Sequence, residues 1–252
     1  MTRRNHNGTD VANKTVLITG ANRGIGRALV NEALRRGAKA VFAGTRSIPL
    51  DIVDDRVTAL TLDVTNVSQV ERAVGAVDAL DVLINNAGVA IYDDLTNLEV
   101  VEQHLQVNFL GTLRVTRAFV PLLKRSHGAI VNNLSLAGLA ALPMIPAYSI
   151  SKAAAFNMTQ SLRALLASDG VSMHGAILGP VDTDMNRGLE IPKASPDRTP
   201  LYARRVGSCV RMLRSLFKRV GLLHQRQFAQ PDHDREGAAQ SAGRRTPGTG
   251  FQ

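Results

Sequence analysis

Tryptophan is absent from the 252 residues, tyrosine occurs three times, and aromatic residues make up only 4%. Hydrophobic residues still reach 44%, enough for a substantial and mainly aliphatic core. Cysteine is nearly missing as well: the lone Cys209 excludes an internal disulfide and argues against an oxidising compartment. No run of 18 apolar residues occurs, so no transmembrane helix is expected. The opening "MTRRNHNGTDVANK" lacks the apolar centre of a signal peptide and reads as a short mobile arm, residues 1–12. These gaps point to a cytoplasmic protein without a membrane partner. An excess of acid is missing too, and the net charge of +9 raises the question of nucleic acid. Location answers it. Residues 1–194 carry 19 Lys+Arg against 17 Asp+Glu, whereas residues 195–252 carry 11 against 4. The body is close to balanced, and no nucleic-acid partner is expected for it.

What is present is alternation. "KTVLIT" (14–19), "KAVFAG" (39–44), "RVTALTL" (56–62), "DVLIN" (81–85), "GAIVNNL" (128–134) and "VSMHGAI" (171–177) read as strands. Helical patterns fit between most of them: 24–37, then about 66–79, 99–123 and 148–168. In the first, Ile25, Leu29, Ala33 and Leu34 fall on one face. Strand–helix alternation implies right-handed crossovers and a Rossmann-type, doubly wound parallel sheet with helices on both faces, over residues 13–194. Ligands of such folds sit beyond the carboxyl ends of the strands.

"TGANRGIG" (19–26) leaves the first strand and opens the first helix. Gly20 permits the tight turn, Gly24 lets backbone approach a phosphate, and Gly26 allows close helix–strand packing. The plainer reading is an ordinary glycine-rich turn, but its place at the first strand–helix junction points to a dinucleotide pyrophosphate. An NAD site would end the second strand in Asp or Glu, to bind the ribose 2′-hydroxyl. Here it ends "AGTRS", with Arg46 where a 2′-phosphate would lie and Arg23 nearby in the glycine loop. Either both are solvated surface arginines or two guanidiniums await a phosphate dianion. The second reading is favoured, and with it NADP(H) over NAD(H).

"TGANRGIG", "LDV" (62–64), "NNAG" (85–88), "VNF" (107–109), Ser135, "YSISK" (148–152) and "GPVDTDM" (179–185) occur in this order. Together they resemble the classical short-chain dehydrogenases/reductases, over roughly residues 13–190. The resemblance implies a catalytic set of Asn108, Ser135, Tyr148 and Lys152. It implies a cofactor site of Gly20, Asn22, Arg23, Gly24, Ile25, Gly26, Arg46, Asp63, Val64, Asn85, Ala87, Gly88, Gly179, Val181 and Thr183, with Tyr148 and Lys152 reaching it too. Asp63 would bind the adenine amino group, and Thr183 the nicotinamide carboxamide. A homodimer or homotetramer through the helices at about 99–123 and 148–168 is also implied.

The chemistry needs these residue types. Hydride transfer to a carbonyl carbon leaves charge on oxygen, so a proton donor must be in place. A phenol, with an ordinary pKa of about 10, exchanges protons poorly at neutral pH. An ammonium one helical turn away, together with the oxidised nicotinamide's charge, is expected to pull that value down. Ser135 would polarise the substrate oxygen, and Asn108 would hold a water linking Lys152 to solvent.

Other features read blandly. His104, His127 and His174 show no ligand spacing, read as structural or exposed, and no metal is expected. Asp182 and Asp184 read as turn residues. "AGLAALPMIPA" (137–147) is either a loop over core or one wall of an apolar substrate pocket. After about residue 195 no regular last strand is recognisable, and the segment is basic. Its "CVRMLRSLFKRVGLL" is either a packing helix, a basic surface for membrane or nucleic acid, or an out-of-frame tail. The whole chain reads as an NADP(H)-dependent carbonyl/alcohol oxidoreductase. The alternative is a non-catalytic NADP(H)-binding regulator with a basic arm.

Overall fold

A computed structural model describes residues 11–46, 52–186 and 192–196 of the chain. The expected N-terminal arm and basic C-terminal segment therefore lie outside the described residues, apart from 11–12 and 195–196.

Six strands form one sheet: β1 (Thr15–Thr19), β2 (Ala40–Thr45), β3 (Val57–Thr61), β4 (Val82–Asn85), β5 (Ala129–Ser135) and β6 (Ser172–Leu178). Their order is β3-β2-β1-β4-β5-β6, and every neighbouring pair is parallel. Each lies within a residue of its expected place. Parallel strands covered on both faces are apolar at nearly every position, which marks them clearly in sequence. Val16 and Ile18 face one layer and Leu17 the other, all fully buried, as the two-residue period requires.

The helices are α1 (Gly24–Arg35), α2 (Val67–Gly75), α3 (Leu98–His104), α4 (Thr112–Ser126) and α5 (Pro146–Leu166). α1 covers one face, packing Val30 and Ala33 against Val16, Ile18 and Val41. Its buried stripe runs through Gly26, Val30 and Ala33, with Leu29 and Leu34 only at the margin. That corrects the expected Ile25–Leu29 face, because Ile25 turns instead to the ligand cleft. On the other face, Phe119 and Leu123 of α4 and Leu166 of α5 join Leu17, Leu83 and Ile130 in the larger core. Fully burying a side chain such as Phe119 stabilises the fold by about 2–3 kcal/mol.

Two helix boundaries matter for the site. α5 starts two residues earlier than expected, because Pro146 supplies a pre-set φ at its first turn. The expected helix at 99–123 is one run from Leu98 to Ser126, interrupted by a π-helical stretch, Leu105–Gly111, centred on Asn108. Hydrophobic periodicity does not register a single wide turn, so the stretch was not expected. Gly111 seats that stretch against Val64: a Cβ there would stand 2.6 Å from the Val64 methyl.

Candidate active site

The chain leaves β1 toward β2 on one side and later returns to β4 on the other. The carboxyl ends of β1 and β4 therefore part and leave a cleft of about 800 Å³. Gly20, φ +65°, makes the turn out of β1, where a Cβ would stand 3.0 Å from Ala87 Cα. At Gly26 a Cβ would lie 2.0 Å from the Gly20 carbonyl oxygen.

α2 and α3 are capped by Asn66 and Asn97, whose side chains accept from backbone N–H groups. α1 has neither a side-chain cap nor an acidic residue in its first turn. Its N–H groups open onto the cleft with the positive end of the helix dipole behind them. This donor set fits a pyrophosphate. Around it the cleft is lined by Asn22, Arg23, Gly24, Ile25, Arg46, Asp63, Val64, Ala87, Gly88, Gly179, Val181 and Thr183. Asp63 is fixed by Thr65, whose N–H and hydroxyl donate to its carboxylate at 2.8 and 2.7 Å. Arg46 is exposed at the rim, and Arg23 faces Asp184 across the cleft mouth at 3.7 Å. Asp184 is thus a turn residue with an ionic partner.

Asn85 departs from the expected set. Its side chain is buried in the sheet, donating to Thr116 Oγ1 and Asn132 Oδ1 at 2.9 Å, so it does not line the cleft. The next residue does. Asn86 donates to the carbonyls of Thr19 and Gly20 at 3.0 and 3.2 Å and accepts from Asn133 Nδ2 at 2.9 Å. Strand alternation decides which of two adjacent asparagines faces the ligand, and "NN" reads the same in either register.

At the same cleft, β5, α5 and the π-helical stretch bring Asn108, Ser135, Tyr148 and Lys152 together. Ser135 ends β5, accepts the Ala137 N–H at 3.1 Å and lines the same cleft as the Tyr148 phenol. Lys152 Nζ lies 5.7 Å from the centre of the Tyr148 ring and donates to the Asn133 carbonyl at 2.9 Å. Burial pushes the Tyr148 phenol above its ordinary value, while the Ser135 hydroxyl acts in the opposite direction. Burial also lowers Lys152, to about 8. The expected lowering of Tyr148 is therefore not a property of the protein alone, because desolvation outweighs the opposing effect of Ser135.

The Asn108 side chain is spent on protein partners: it accepts from Val89 N and donates to Val89 O and Ser151 Oγ, each at 2.9 Å. Its carbonyl already accepts from the Thr112 hydroxyl at 3.0 Å. Asn108 is thus first a brace, and Ser151 is its foothold on α5. That buried hydroxyl, between Tyr148 and Lys152 in sequence, donates to the Tyr148 carbonyl at 2.7 Å. Sequence reading passed over Ser151, Asn86 and Asn133, because small polar residues carry no spacing signal.

The chain is similar to several known proteins. The family model described as short chain dehydrogenase matches residues 14–193. An uncharacterized oxidoreductase of Staphylococcus epidermidis is 31% identical over 211 residues, covering 79% of this chain and 90% of that protein. An 11-beta-hydroxysteroid dehydrogenase-like protein of Arabidopsis thaliana is 31% identical over 234 residues, covering 87% and 74%. Among solved structures, a short chain dehydrogenase of Burkholderia cenocepacia in complex with NADP superposes with a TM-score of 0.79 at 33% identity, covering 88% of this chain and 100% of the other.

Proposed function

The chain belongs to the short-chain dehydrogenase family and is an oxidoreductase acting on CH–OH or C=O groups with NAD(P); on that footing we propose an NADP(H)-dependent enzyme that interconverts a carbonyl and a secondary alcohol, with Tyr148 as the general acid/base. One observation carries the reading: Tyr148 and Ser135 line the same cleft, with the buried Lys152 ammonium one helical turn on and 5.7 Å from the Tyr148 ring centre. A bound nicotinamide supplies the hydride for reduction and takes it in oxidation. Gly20, Gly26 and the open end of α1 hold the phosphates. Ser135 Oγ donates to the substrate oxygen and fixes it beside the phenol. Tyr148 Oη gives its proton to that oxygen as negative charge develops there, and takes it back in the reverse direction. Lys152 restrains the phenolate left behind by its charge.

Three observations support NADP(H) over NAD(H): no carboxylate ends β2, Arg46 stands at the cleft rim, and Arg23 is close by. The exposed Tyr92, Leu142, Met144 and Met185 support an apolar substrate. Exposed Leu98, Ile150 and Leu165 on α3 and α5 support a homo-oligomer through those helices, and the single cysteine supports a cytoplasmic location. No described helix is long and apolar enough to cross a membrane.

A panel of aldehydes and ketones, read by loss of NADPH absorbance, tests the reading. Tyr148→Phe should cost at least about a hundredfold in kcat while NADPH still binds. Equal inactivity of wild type and variant across the panel would sink the enzymatic mechanism. Arg46→Ala should narrow the NADPH-to-NADH affinity ratio by about tenfold, the worth of one charge-assisted phosphate contact; an unchanged ratio would return the cofactor preference to open ground.

A further inference from the structure

We propose that His104 is a positioning residue for Tyr148, an assignment that rests on the acid/base role given above. His104 closes α3, one turn before Asn108, and is 0% exposed. A buried imidazole needs partners for both nitrogens. Nδ1 has the Val100 carbonyl of its own helix at 2.8 Å, and Nε2 accepts from the Ile91 N–H at 3.0 Å. Only the tautomer with its proton on Nδ1 satisfies both. The ring is thereby locked at both ends, with its plane set by two backbone segments.

The locked ring meets Tyr148. The two ring centres are 6.3 Å apart at an interplanar angle of 71°, the T-shaped arrangement aromatic pairs favour. Lys152 Nζ approaches the same phenol ring, at 5.7 Å from its centre, so Tyr148 meets both an ammonium and an imidazole. The Ile91 bond has a second effect. It belongs to a strip after β4 that is fastened at alternate residues. Val89 is held by Asn108, Ile91 by His104, and Asp93 by the Ala147 N–H, directly before Tyr148. His104 thus restrains the phenol directly through its ring and indirectly through the strip.

The residue type follows from these contacts. An aliphatic side chain could fill the space but would leave the half-buried Ile91 N–H without its acceptor. A phenylalanine would keep the ring and lose both tethers. A glutamine would keep an acceptor for Ile91 and lose the ring. A phenol free to tilt by even 1 Å would meet the substrate oxygen less often in reactive geometry, and such misplacement costs about a hundredfold in rate.

His104→Phe and His104→Gln in the full chain separate the two parts. Ionisation of Tyr148 is read as the near-ultraviolet phenolate absorbance of each protein minus its Tyr148→Phe counterpart. The chain's lack of tryptophan and its three tyrosines make that difference readable. Among the described residues, the titratable groups that meet the phenol ring are Lys152 and His104 itself, so a shifted midpoint reports a changed Tyr148 setting. Expected are a displaced midpoint in both variants and, on any carbonyl the wild type reduces, kcat lower by about tenfold or more with KM and NADPH affinity within about threefold. Unchanged midpoints in both variants would overturn the assignment, whether or not a substrate has been found. Failure of the underlying enzymatic reading would show instead in the wild type and in Tyr148→Phe. Nitrogen NMR of wild-type His104 covers the case in which neither variant folds. A single Nδ1–H tautomer supports the assignment, and a mixture of tautomers refutes it.

Discussion

Lys152 is a cation kept where cations are costly. Only 7% of it is exposed, and burial lowers its pKa from 10.5 to about 8. Between those values the folded chain has released a proton that the unfolded chain still binds. Stability therefore rises with pH from about 8 toward 10.5, where an exposed lysine would leave it flat. The full shift corresponds to about 3 kcal/mol of destabilisation at neutral pH. Lys152→Met, which keeps the aliphatic stem, should therefore raise Tm by several degrees at pH 7, flatten the rise of unfolding free energy above pH 8, and abolish turnover. Urea titrations at pH 7, 8.5 and 10 check the first two points, and a variant that loses stability at pH 7 contradicts them. Gly26 offers the opposite experiment. A methyl there would meet the Gly20 carbonyl oxygen at 2.0 Å, backbone that cannot yield, and Asn86 Nδ2 at 2.7 Å. Gly26→Ala should cost about 1–3 kcal/mol and weaken NADPH binding, as melting and fluorescence titration would show. At this scale the sequence was legible wherever chemistry demands a rare type at a fixed spacing, as with Tyr148 and Lys152. It was mute where the decisive fact is the direction of a side chain, as with Asn85 and Asn86.

Among the elements, α5 shows how a helix is placed for chemistry. Its N-cap, Ile145, provides no side-chain acceptor, and Pro146 has no N–H to satisfy. The Ala147 N–H is taken by Asp93, a carboxylate arriving from the segment after β4, 54 residues earlier, with Oδ1 at 3.2 Å. Backbone joins the same segments where Asp93 N donates to Met144 O at 3.5 Å. Losing a cap of this kind costs about 1 kcal/mol, or roughly 2–4 °C of Tm for a chain of this size. Asp93→Ala should show that drop in a thermal melt and, because Tyr148 is the next helical residue, a larger proportional loss of turnover. Asp93→Asn, which keeps an acceptor oxygen, should recover part of both. No sequence pattern signals a cap borrowed across 54 positions. Strands and helices were readable from apolar period alone, since β1, β2, β4 and β5 are largely buried on both faces and α4 on one. The π-helical stretch was not, because Asn108 and Gly111 occupy it for reasons of packing and hydrogen bonding that period does not record.

For the molecule as a whole, the class of fold followed from the order of strands and helices, and the handedness of crossovers left few topologies to choose among. The cleft is shared by elements from both halves of the sheet, so a ligand that fills it binds only the folded chain. NADPH at about one hundred times its Kd should stabilise by about 2.7 kcal/mol, an increase of roughly 5–11 °C in Tm. NADH at equal concentration should give a smaller increase, and equal increases would count against selectivity. The same seam governs how the protein comes to be folded. β1 pairs with β2 between Val16 and Val41, but with β4 between Val16 and Val82, 66 positions away. A contact closing so long a loop forms late, after the local helices and the nearer strand pair. The phosphate turn at Gly20 and the Asn86 that braces it lie on opposite sides of that join. During refolding, recovery of NADPH fluorescence should therefore lag behind recovery of helical circular dichroism, making the cofactor a clock for the last event of assembly.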